Sequence, residues 1–291
     1  MKQNDWLPRL PNNTLGFWLE TSRQKLGEIS ETPALEVQLI AAHVLDKPRA
    51  WLLAHPEEIL SAAHLTRMDE MLAALAAGAP LAYLTGEREF FGLRFIIRPG
   101  LLVPRPETEL LVETALDWLQ RHPERRTAVD VGCGSGCIAV TLAARVTDLQ
   151  IDALDIDPLA VETTIQNAGH YANGTRVIVF QSDLLTATRN TYDLICANLP
   201  YIPTEKLSDL PAARFEPYHA LDGGRDGLYL IGRLLEQAVS RLRPQGLILL
   251  EIEATLGESI LRLSRRYFPK AKIDLLPDLA GLPRLVCIQD L

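Results

Sequence analysis

The run Tyr192-Asp-Leu-Ile-Cys-Ala-Asn198-Leu-Pro200-Tyr201-Ile-Pro203 begins apolar and stops at an amide, a proline and an aromatic ring. Such a run predicts a buried parallel strand with Asn198 at its carboxyl end, the edge where open α/β sheets bind ligands. The Asn198 side chain carries an acceptor oxygen and an NH2 donor, and the Tyr201 ring can stack. We therefore expect this stretch to hold an amide or an exocyclic amine, although taken alone it also fits an ordinary Asn-x-Pro turn.

A glycine-rich turn follows an earlier predicted strand. Thr127–Val131 reads as the strand, Gly132-Cys-Gly-Ser-Gly136 as a tight turn, and the residues to about Arg145 as an amphipathic helix. This order opens a nucleotide-binding βαβ unit, in which glycines let a ligand approach the backbone at a helix amino end. A dinucleotide fingerprint would place its third glycine where this chain has Cys137, so the pattern does not favour a pyrophosphate ligand.

The remaining apolar runs complete a sheet. Gln150–Leu154 ends at Asp155, about twenty residues beyond the glycine turn, as expected for an acid that holds ribose hydroxyls. The other predicted elements are strands over Arg176–Phe180, ahead of Asp183, over Leu247–Ile252 and around Ile273 and Leu285–Ile288, with helices to about Leu242 and near Leu256–Tyr267. Seven strands with interleaved helices predict the α/β class, as a doubly wound, Rossmann-like sheet.

The amino-terminal part has a different pattern. Apolar residues recur at three- and four-residue spacing from Leu15 to about Ala77, which predicts a small helical bundle of four or five short helices over residues 1–77. Aromatic and β-branched residues in Tyr83–Gly86 and Glu89–Ile97 predict a β-hairpin linker over residues 78–100. The sheet domain then spans residues 101–291.

The composition is that of a globular protein. Of the 291 residues 47% are hydrophobic and 23% are charged, and the formal net charge of −8 argues against an affinity that rests on neutralising phosphates. The amino terminus carries no secretory signal, no apolar run reaches the length of a membrane span, and the four cysteines include no CxxC pair. We therefore expect a cytoplasmic protein with reduced thiols, no bound metal and no membrane or nucleic-acid partner. A monomer is the simplest assembly.

Several of these motifs together resemble a known family. Asp130-x-Gly-x-Gly-Ser-Gly136, Asp155, Asp183 and Asn198-x-Pro-Tyr201, in this order, resemble the class I S-adenosylmethionine-dependent methyltransferases that act on nitrogen. More narrowly, two stretches resemble the release factor glutamine N5-methyltransferases. They are Pro104-Arg-Pro-Glu-Thr-Glu109 and the stretch from Glu216-Pro217 to Ala220-Leu-Asp-Gly-Gly224-x-Asp-Gly-Leu228. The resemblance runs through the helical domain and nearly all of the sheet domain.

The resemblance implies the chemistry of the site. The cofactor would be S-adenosylmethionine, and the methyl acceptor would be the glutamine of the Gly-Gly-Gln motif of peptide chain release factors. Separately from the resemblance, we expect the helical domain to dock this substrate, with a packing or dimerising module as the alternative. Asn198, Pro200 and Tyr201 would be catalytic. The residues that would bind the cofactor are Gly132, Cys133, Gly134, Ser135, Gly136, Asp155, Ile156, Asp183, Leu184 and Asn198. The substrate would be bound by Asn198, Leu199, Pro200, Tyr201, Arg105 and Glu107. Arg105 is a charged residue between two prolines, and Glu107 lies in the first turn of the next predicted helix.

Two departures from the family pattern keep alternatives open. The family usually reads Asn-Pro-Pro-Tyr where this chain has Leu199, and the rRNA adenine dimethyltransferases resemble the variant with leucine. Glu253 and Leu256 stand where the family commonly has glycine and glutamine. One alternative is an N6-adenine methyltransferase on DNA or RNA, because an exocyclic amine also presents two N–H bonds beside a π-face. The other is a homologue that binds the cofactor without activity.

Overall fold

The computed structural model describes residues 11–171 and 176–290. The chain divides into two compact units, Met1–Gly86 and Glu87–Leu291. The first unit is helical and contains α1 (Leu15–Leu26), α2 (Pro33–Leu45), α3 (Arg49–Ala54), α4 (Ala62–Ala76) and α5 (Leu81–Thr85). These elements confirm the predicted amino-terminal helical bundle.

An apolar core holds the helical unit together. Its buried side chains include Trp18 of α1, Ile40 of α2 and Met68 of α4. The indole N–H of Trp18 donates to Asp69 Oδ1 at 2.8 Å, so the one polar atom of this buried ring has a partner. Ser61 caps α4, because its hydroxyl accepts the His64 N–H at 3.1 Å.

A two-stranded antiparallel sheet opens the second unit. Its strands are β1 (Glu87–Phe90) and β2 (Leu93–Ile96). The prediction that Tyr83–Gly86 belongs to this hairpin is wrong, because residues 81–85 form α5. Gly86 ends this helix in the left-handed conformation, at φ 75°, so the extended chain begins only at residue 87.

The rest of the second unit is a sheet flanked by helices. The strands are β3 (Thr127–Val131), β4 (Gln150–Asp155), β5 (Val177–Gln181), β6 (Tyr192–Ala197), β7 (Leu242–Glu251), β8 (Lys272–Pro277) and β9 (Pro283–Gln289). The helices are α6 (Glu109–Arg121), α7 (Cys137–Arg145), α8 (Pro158–Tyr171), α9 (Tyr229–Ala238) and α10 (Gly257–Tyr267). The strand order is β5-β4-β3-β6-β7-β9-β8, with β3 to β7 parallel and β9 antiparallel to both of its neighbours.

Helices cover both faces of this sheet. Along β3, Val129 and Val131 lie in the core that also contains Ile231 of α9 and Ile260 of α10. The alternate residue Asp130 faces the other side, where Ala139 N of α7 donates to its carboxylate at 3.1 Å. The predicted doubly wound α/β fold is therefore confirmed.

The order of the strands creates a ligand-binding edge between β3 and β6. The chain runs from β3 outward through β4 to β5 and then returns to β6 on the other side of β3. Ligands of open α/β sheets bind outside the carboxyl ends of the strands at such a switch point. The glycine turn after β3 and Asn198 after β6 both lie there.

The segment between α9 and β7 differs from its prediction. A helix to about Leu242 was expected, whereas α9 ends at Ala238 and β7 already begins at Leu242. The Tyr192 N–H donates to the Arg241 carbonyl at 2.8 Å, which brings the chain to the edge of β6 before the apolar run of β7 starts. A register shift between Tyr192 and Leu194 accommodates the additional residues.

Candidate active site

A cavity of about 610 Å³ lies outside the carboxyl ends of β3, β4, β5 and β6. Its volume falls within the usual range of small-molecule sites. Most of the residues that the sequence analysis assigned to the cofactor or the acceptor line it. They are Gly132, Cys133, Gly134, Ser135, Asp155, Ile156, Asp183, Leu184, Asn198, Leu199 and Pro200.

The glycine turn presents open backbone to this cavity. Gly132, Gly134 and Gly136 all adopt positive φ, a conformation that favours glycine. A Cβ added to Gly134 would meet no atom within 4 Å, whereas a Cβ on Gly136 would lie 2.7 Å from Thr164 Cγ2. Gly134 therefore leaves room for a ligand, while Gly136, which the cavity lining does not include, allows α7 and α8 to approach each other.

Asp155 joins the glycine turn to the end of β4. Its Oδ2 accepts the Gly134 N–H at 2.8 Å, and its Oδ1 accepts the Asp157 N–H at 2.9 Å. Burial raises the pKa of this carboxyl above its ordinary value, and these two hydrogen bonds oppose that rise. A carboxylate oxygen has two lone pairs, so each can still accept a hydrogen bond from a ligand.

Asp183 and Leu184 continue the wall beyond β5. Asp183 Oδ2 accepts a hydrogen bond from Arg233 Nη2 at 2.7 Å, and both residues line the cavity. The buried Leu184 is held at φ 52°, and its carbonyl accepts the Ser182 hydroxyl at 2.6 Å. One oxygen of Asp183 thus pairs with a protein cation, and no described residue donates a hydrogen bond to the other.

A smaller cavity of about 120 Å³ adjoins the first. Tyr201 and Arg105 line only this one, and the exposed Glu107 lines neither. The walls of both cavities include Leu102, Asn198, Leu199, Pro200 and Ala220. The Asn198–Pro200 segment therefore stands at their junction.

Two hydrogen-bond acceptors lie at this junction. Asn198 Nδ2 donates to the hydroxyl of the buried Thr108 at 3.2 Å, which directs the NH2 side of the amide toward the protein. No described residue donates a hydrogen bond to Asn198 Oδ1 or to the Leu199 carbonyl oxygen. A side-chain oxygen and a neighbouring carbonyl can together accept both N–H bonds of a planar NH2 group.

The side chain of Leu199 is accommodated by the glycine turn. It is buried in the core of the sheet domain, and a Cβ on Gly132 would lie 2.9 Å from its Cδ2. The leucine thus fills space directly over a glycine. Because the acceptor at this position is a backbone oxygen, the exchange of proline for leucine leaves that atom in place.

The glycines of residues 222–227 pack against the backbone at Tyr201. Ile202 N donates to Leu221 O at 3.1 Å, and Gly223 N donates to Ile202 O at 2.8 Å. A Cβ on Gly223 would lie 2.7 Å from Tyr201 Cα. The Asn198–Tyr201 motif and the glycine-rich loop at residues 222–227 therefore pack against each other.

Three residues of the site were missed by the sequence analysis as individual functional residues: Thr108, Arg233 and Glu251. Thr108 reaches Asn198 from inside the Pro106–Glu109 run, and Glu251 ends β7 in the register position beside Asn198. The available signal for Glu251 was an acid that interrupts the apolar run Leu247–Ile252. Nothing in the sequence pointed to Arg233, because its contact with Asp183 spans 50 positions.

The thiols are free, with Cys133, Cys137 and Cys196 buried and Cys287 partly exposed. Within residues 11–171 and 176–290, no group of three or more His, Cys, Asp or Glu side chains could hold a metal ion. Over the same described ranges, no helix combines the length and the apolar character that crossing a membrane requires.

Two family models match the chain, the PrmC N-terminal domain over residues 18–86 and the methyltransferase small domain over residues 106–215. A release factor glutamine methyltransferase from Moorella thermoacetica is 40% identical over 274 residues, which cover 91% of this chain and 96% of that protein. A protein of the same name from Nitratidesulfovibrio vulgaris is 37% identical over 279 residues and 94% of each chain.

The solved catalytic domain of hMettl16, in complex with MAT2A 3′UTR hairpin 6, superposes with a TM-score of 0.56 at 16% identity. The match covers 78% of this chain and 82% of that chain and shows a shared fold alone. The family resemblance inferred from the motifs is confirmed, and the relatives favour the glutamine assignment over the adenine alternative. The chain belongs to the release factor glutamine methyltransferase family.

Proposed function

We propose that this protein transfers a methyl group from S-adenosylmethionine to the side-chain nitrogen N5 of the glutamine in the Gly-Gly-Gln motif of peptide chain release factors. The observation that carries the proposal is the pair of acceptors, Asn198 Oδ1 and the Leu199 carbonyl, at the junction of two cavities. The larger cavity suits the cofactor and the smaller one suits the glutamine side chain. A release factor substrate implies a cytoplasmic enzyme, and we propose that it acts as a monomer.

The residues of the larger cavity fit a nucleoside-bearing cofactor. Asp155 offers carboxylate oxygens at the position where ribose hydroxyls are held in related sheets. Gly134 leaves open space beside its backbone, and Ile156 and Leu184 provide apolar surface in the wall. When bound, S-adenosylmethionine supplies an activated methyl group on its sulfonium.

The remaining task of the protein is to orient a poor nucleophile. The lone pair of an amide nitrogen is delocalised into the carbonyl, the same resonance that gives a peptide bond a rotation barrier of about 18–20 kcal/mol. Asn198 Oδ1 and the Leu199 carbonyl would accept the two N–H bonds of the glutamine amide, which raises the electron density on nitrogen and fixes its direction. Alignment of this kind can contribute about 7–11 kcal/mol in favourable cases.

Pro200 and Tyr201 would support this arrangement. The Pro200 ring restricts the backbone at Leu199, and so restrains the direction of its carbonyl. Tyr201 lines the smaller cavity, where its ring can pack against the plane of the glutamine amide. Gly223 and Gly227 pack closely against the Tyr201 backbone.

We also propose that the helical unit docks the release factor. The described residues that line the two cavities all lie at Gly100 or beyond. Leu53 and Ile59 offer exposed apolar contacts, with 61% and 70% of their surfaces accessible. Replacing both with serine should raise KM for the release factor without changing KM for S-adenosylmethionine. An unchanged KM for the release factor would remove this docking role.

The proposed reaction is tested by methyl transfer from labelled S-adenosylmethionine to four acceptors offered in parallel. They are a purified release factor, the same factor with its Gly-Gly-Gln glutamine changed to alanine, ribosomal RNA and duplex DNA. We expect label only in the unmodified factor. Label in nucleic acid alone would establish the adenine alternative, and cofactor binding without transfer to any acceptor would establish an inactive homologue.

The role of Asn198 is tested separately by Asn198→Ala. Loss of the acceptor oxygen should remove turnover, whereas calorimetric binding of S-adenosylmethionine should stay within about threefold of wild type, because each carboxylate and backbone contact of the larger cavity remains. Near wild-type turnover in this variant would show that the amide is not the group that orients the substrate.

A further inference from the structure

The Asn198 side chain rests on two buried polar groups behind the junction of the cavities. Its Nδ2 donates to Thr108 Oγ1 at 3.2 Å. Glu251, a residue that is only 2% exposed, lies beside both side chains: burial raises the pKa of its carboxyl, and Thr108 and Asn198 oppose that rise. Glu251 reaches this position because Ala197 of β6 pairs with Leu250 of β7, so the next residues of the two strands are neighbours.

These groups fix which way the Asn198 amide points. An amide has a donor side and an acceptor side of nearly equal size, so packing alone does not choose between its two orientations. Above about pH 7, where Glu251 is ionised, its carboxylate can only accept hydrogen bonds, and the Thr108 oxygen already accepts one from Asn198 Nδ2. The NH2 side must therefore face Thr108 and Glu251, and Oδ1 must face away from them.

Burial of Glu251 lowers the stability of the fold. Its Oε2 is buried without a hydrogen-bond partner among the described residues, and burying an incompletely paired carboxylate is unfavourable. Arg284, Glu107, Tyr201 and Cys137 are ionisable groups that interact electrostatically with Glu251, and Arg284 already pairs with Asp278. A polar group that violates the usual rules of burial is expected where function requires it.

We propose that Glu251 and Thr108 are positioning residues that hold the Asn198 amide with its oxygen toward the acceptor. The inference rests on the proposed function for its kinetic consequence, but the orientation of the amide is a property of the free protein. Neither residue touches the transferred methyl group in this scheme. Their effect on turnover passes entirely through Asn198.

The test compares Glu251→Leu with Glu251→Gln, and Thr108→Val with Thr108→Ser. Leucine and valine remove the acceptor or the hydroxyl, whereas glutamine and serine keep one. We expect kcat to fall about 10²-fold in the first member of each pair, the scale of a misplacement of roughly 1 Å, with KM for S-adenosylmethionine within about twofold. The second members should rescue most of that loss.

The structural readout is the side-chain amide of Asn198 in a 1H–15N spectrum of the full-length protein, assigned by its loss in Asn198→Asp. Its two proton resonances should shift in Glu251→Leu and Thr108→Val and stay near their wild-type positions in the rescue variants. Asp152→Asn is the matched control, because Asp152 is a buried acid that accepts from Tyr192 and Asn190 at the other end of the sheet. It should lose stability while kcat and the Asn198 resonances stay unchanged.

The outcomes separate the two proposals. An unshifted Asn198 amide in Glu251→Leu, or a wild-type kcat in that variant, would overturn the positioning role. So would an equal loss of kcat in Asp152→Asn, which would point to a general effect of stability. If the wild-type protein does not methylate release factors, the proposed function fails, and the spectrum still decides whether Glu251 and Thr108 orient the amide.

Discussion

The guanidinium of Arg105 donates to the carboxylate of Glu216, a residue that is only 4% exposed. Glu216 also accepts the Val103 N–H at 3.3 Å. Burial raises the pKa of this carboxyl above its ordinary value, and the Arg105 charge is the largest influence opposing that rise. Since Arg105 lines the smaller cavity, the pair ties the segment before α6 to the loop before the glycines at 223 and 224.

Arg105→Ala should therefore destabilise the protein rather than only weaken substrate binding. It leaves a buried carboxylate without its cation, at a cost of about 1–3 kcal/mol. Urea unfolding would measure this cost, with Arg121→Ala as the control, because the Arg121–Asp117 pair is exposed on α6 and contributes less than about 1 kcal/mol. Equal unfolding free energies in the two variants would show that Arg105 is not a structural residue.

The close approach of Gly223 and Gly227 to Tyr201 predicts that neither glycine tolerates a methyl group. In Gly223→Ala the new Cβ would lie 2.7 Å from Tyr201 Cα, and in Gly227→Ala it would meet the Tyr201 carbonyl oxygen at φ 76°. Backbone atoms cannot move aside as side chains do, so the acceptor site should be displaced and methyl transfer should fall by at least about 10²-fold.

Gly169→Ala is the matched control for both glycine variants. Gly169 lies in α8, where an added Cβ would meet nothing within 4 Å. Alanine is the better helix former, so this variant should gain up to about 1 kcal/mol of stability and keep full activity. Wild-type turnover in Gly223→Ala would contradict the close approach seen here.

The sequence predicted the sheet well because its signals are local. Each parallel strand is a short apolar run bounded by turn residues, so Thr127–Val131 and Tyr192–Ala197 were placed without error. The errors at Tyr83–Gly86 and Leu242 have different causes, a helix that ends at a left-handed glycine and a contact between distant segments. Tyr83–Gly86 turned out to be part of a helix and its terminal glycine, and Leu242 was drawn out of a helix by pairing with β6.

The site was predictable only in part for the same reason. Asp155 and Asn198 could be predicted as site residues because they lie at the carboxyl ends of strands, where open α/β sheets bind ligands. The contacts of Asn198 with Thr108, and of Arg105 with Glu216, span 90 and 111 positions, and no spacing rule links such pairs. Family motifs marked these segments without revealing that the residues within them touch.

The glycine turn supports a prediction that separates cofactor binding from folding. Gly134→Ala places its Cβ in open space beside the larger cavity, so its main effect should be on the ligand, with about 1–2 kcal/mol of strain from the positive φ. Gly136→Ala drives a Cβ against Thr164 and should lose more stability. Calorimetry with S-adenosylmethionine and urea unfolding of both variants would measure the two effects.

We expect at least a tenfold loss of affinity in Gly134→Ala, and in Gly136→Ala an unfolding free energy below that of Gly134→Ala. A wild-type affinity in Gly134→Ala would mean that the cofactor does not approach this backbone. A Gly136→Ala variant as stable as Gly134→Ala would mean that α8 can move away from the turn.

Two buried acids predict how stability depends on pH. Burial raises the pKa of Asp130 from 3.8 to about 7 and that of Glu251 from 4.5 to about 7. Between pH 4.5 and 7 the folded protein therefore holds protons that the unfolded chain has released. The stability that these two groups contribute is fully present below their unfolded pKa values and is lost as the pH rises through about 7.

Glu251→Gln removes one of these titrations, so its unfolding free energy should rise relative to wild type by about 3 kcal/mol between pH 4.5 and 7.5, at roughly 1.4 kcal/mol per pKa unit. Asp278→Asn is the control, because its unfolding free energy relative to wild type should stay constant between pH 4.5 and 7.5. The Leu282 N–H, followed by the Arg284 side chain, lowers the pKa of Asp278 below 3.8, so the stability from this group is lost only in more acidic solution. Urea unfolding of both variants and the wild type at pH 4.5, 6 and 7.5 would measure the differences in unfolding free energy.

A difference in unfolding free energy between Glu251→Gln and wild type that stays constant with pH would mean that Glu251 is ionised in the folded protein throughout this range.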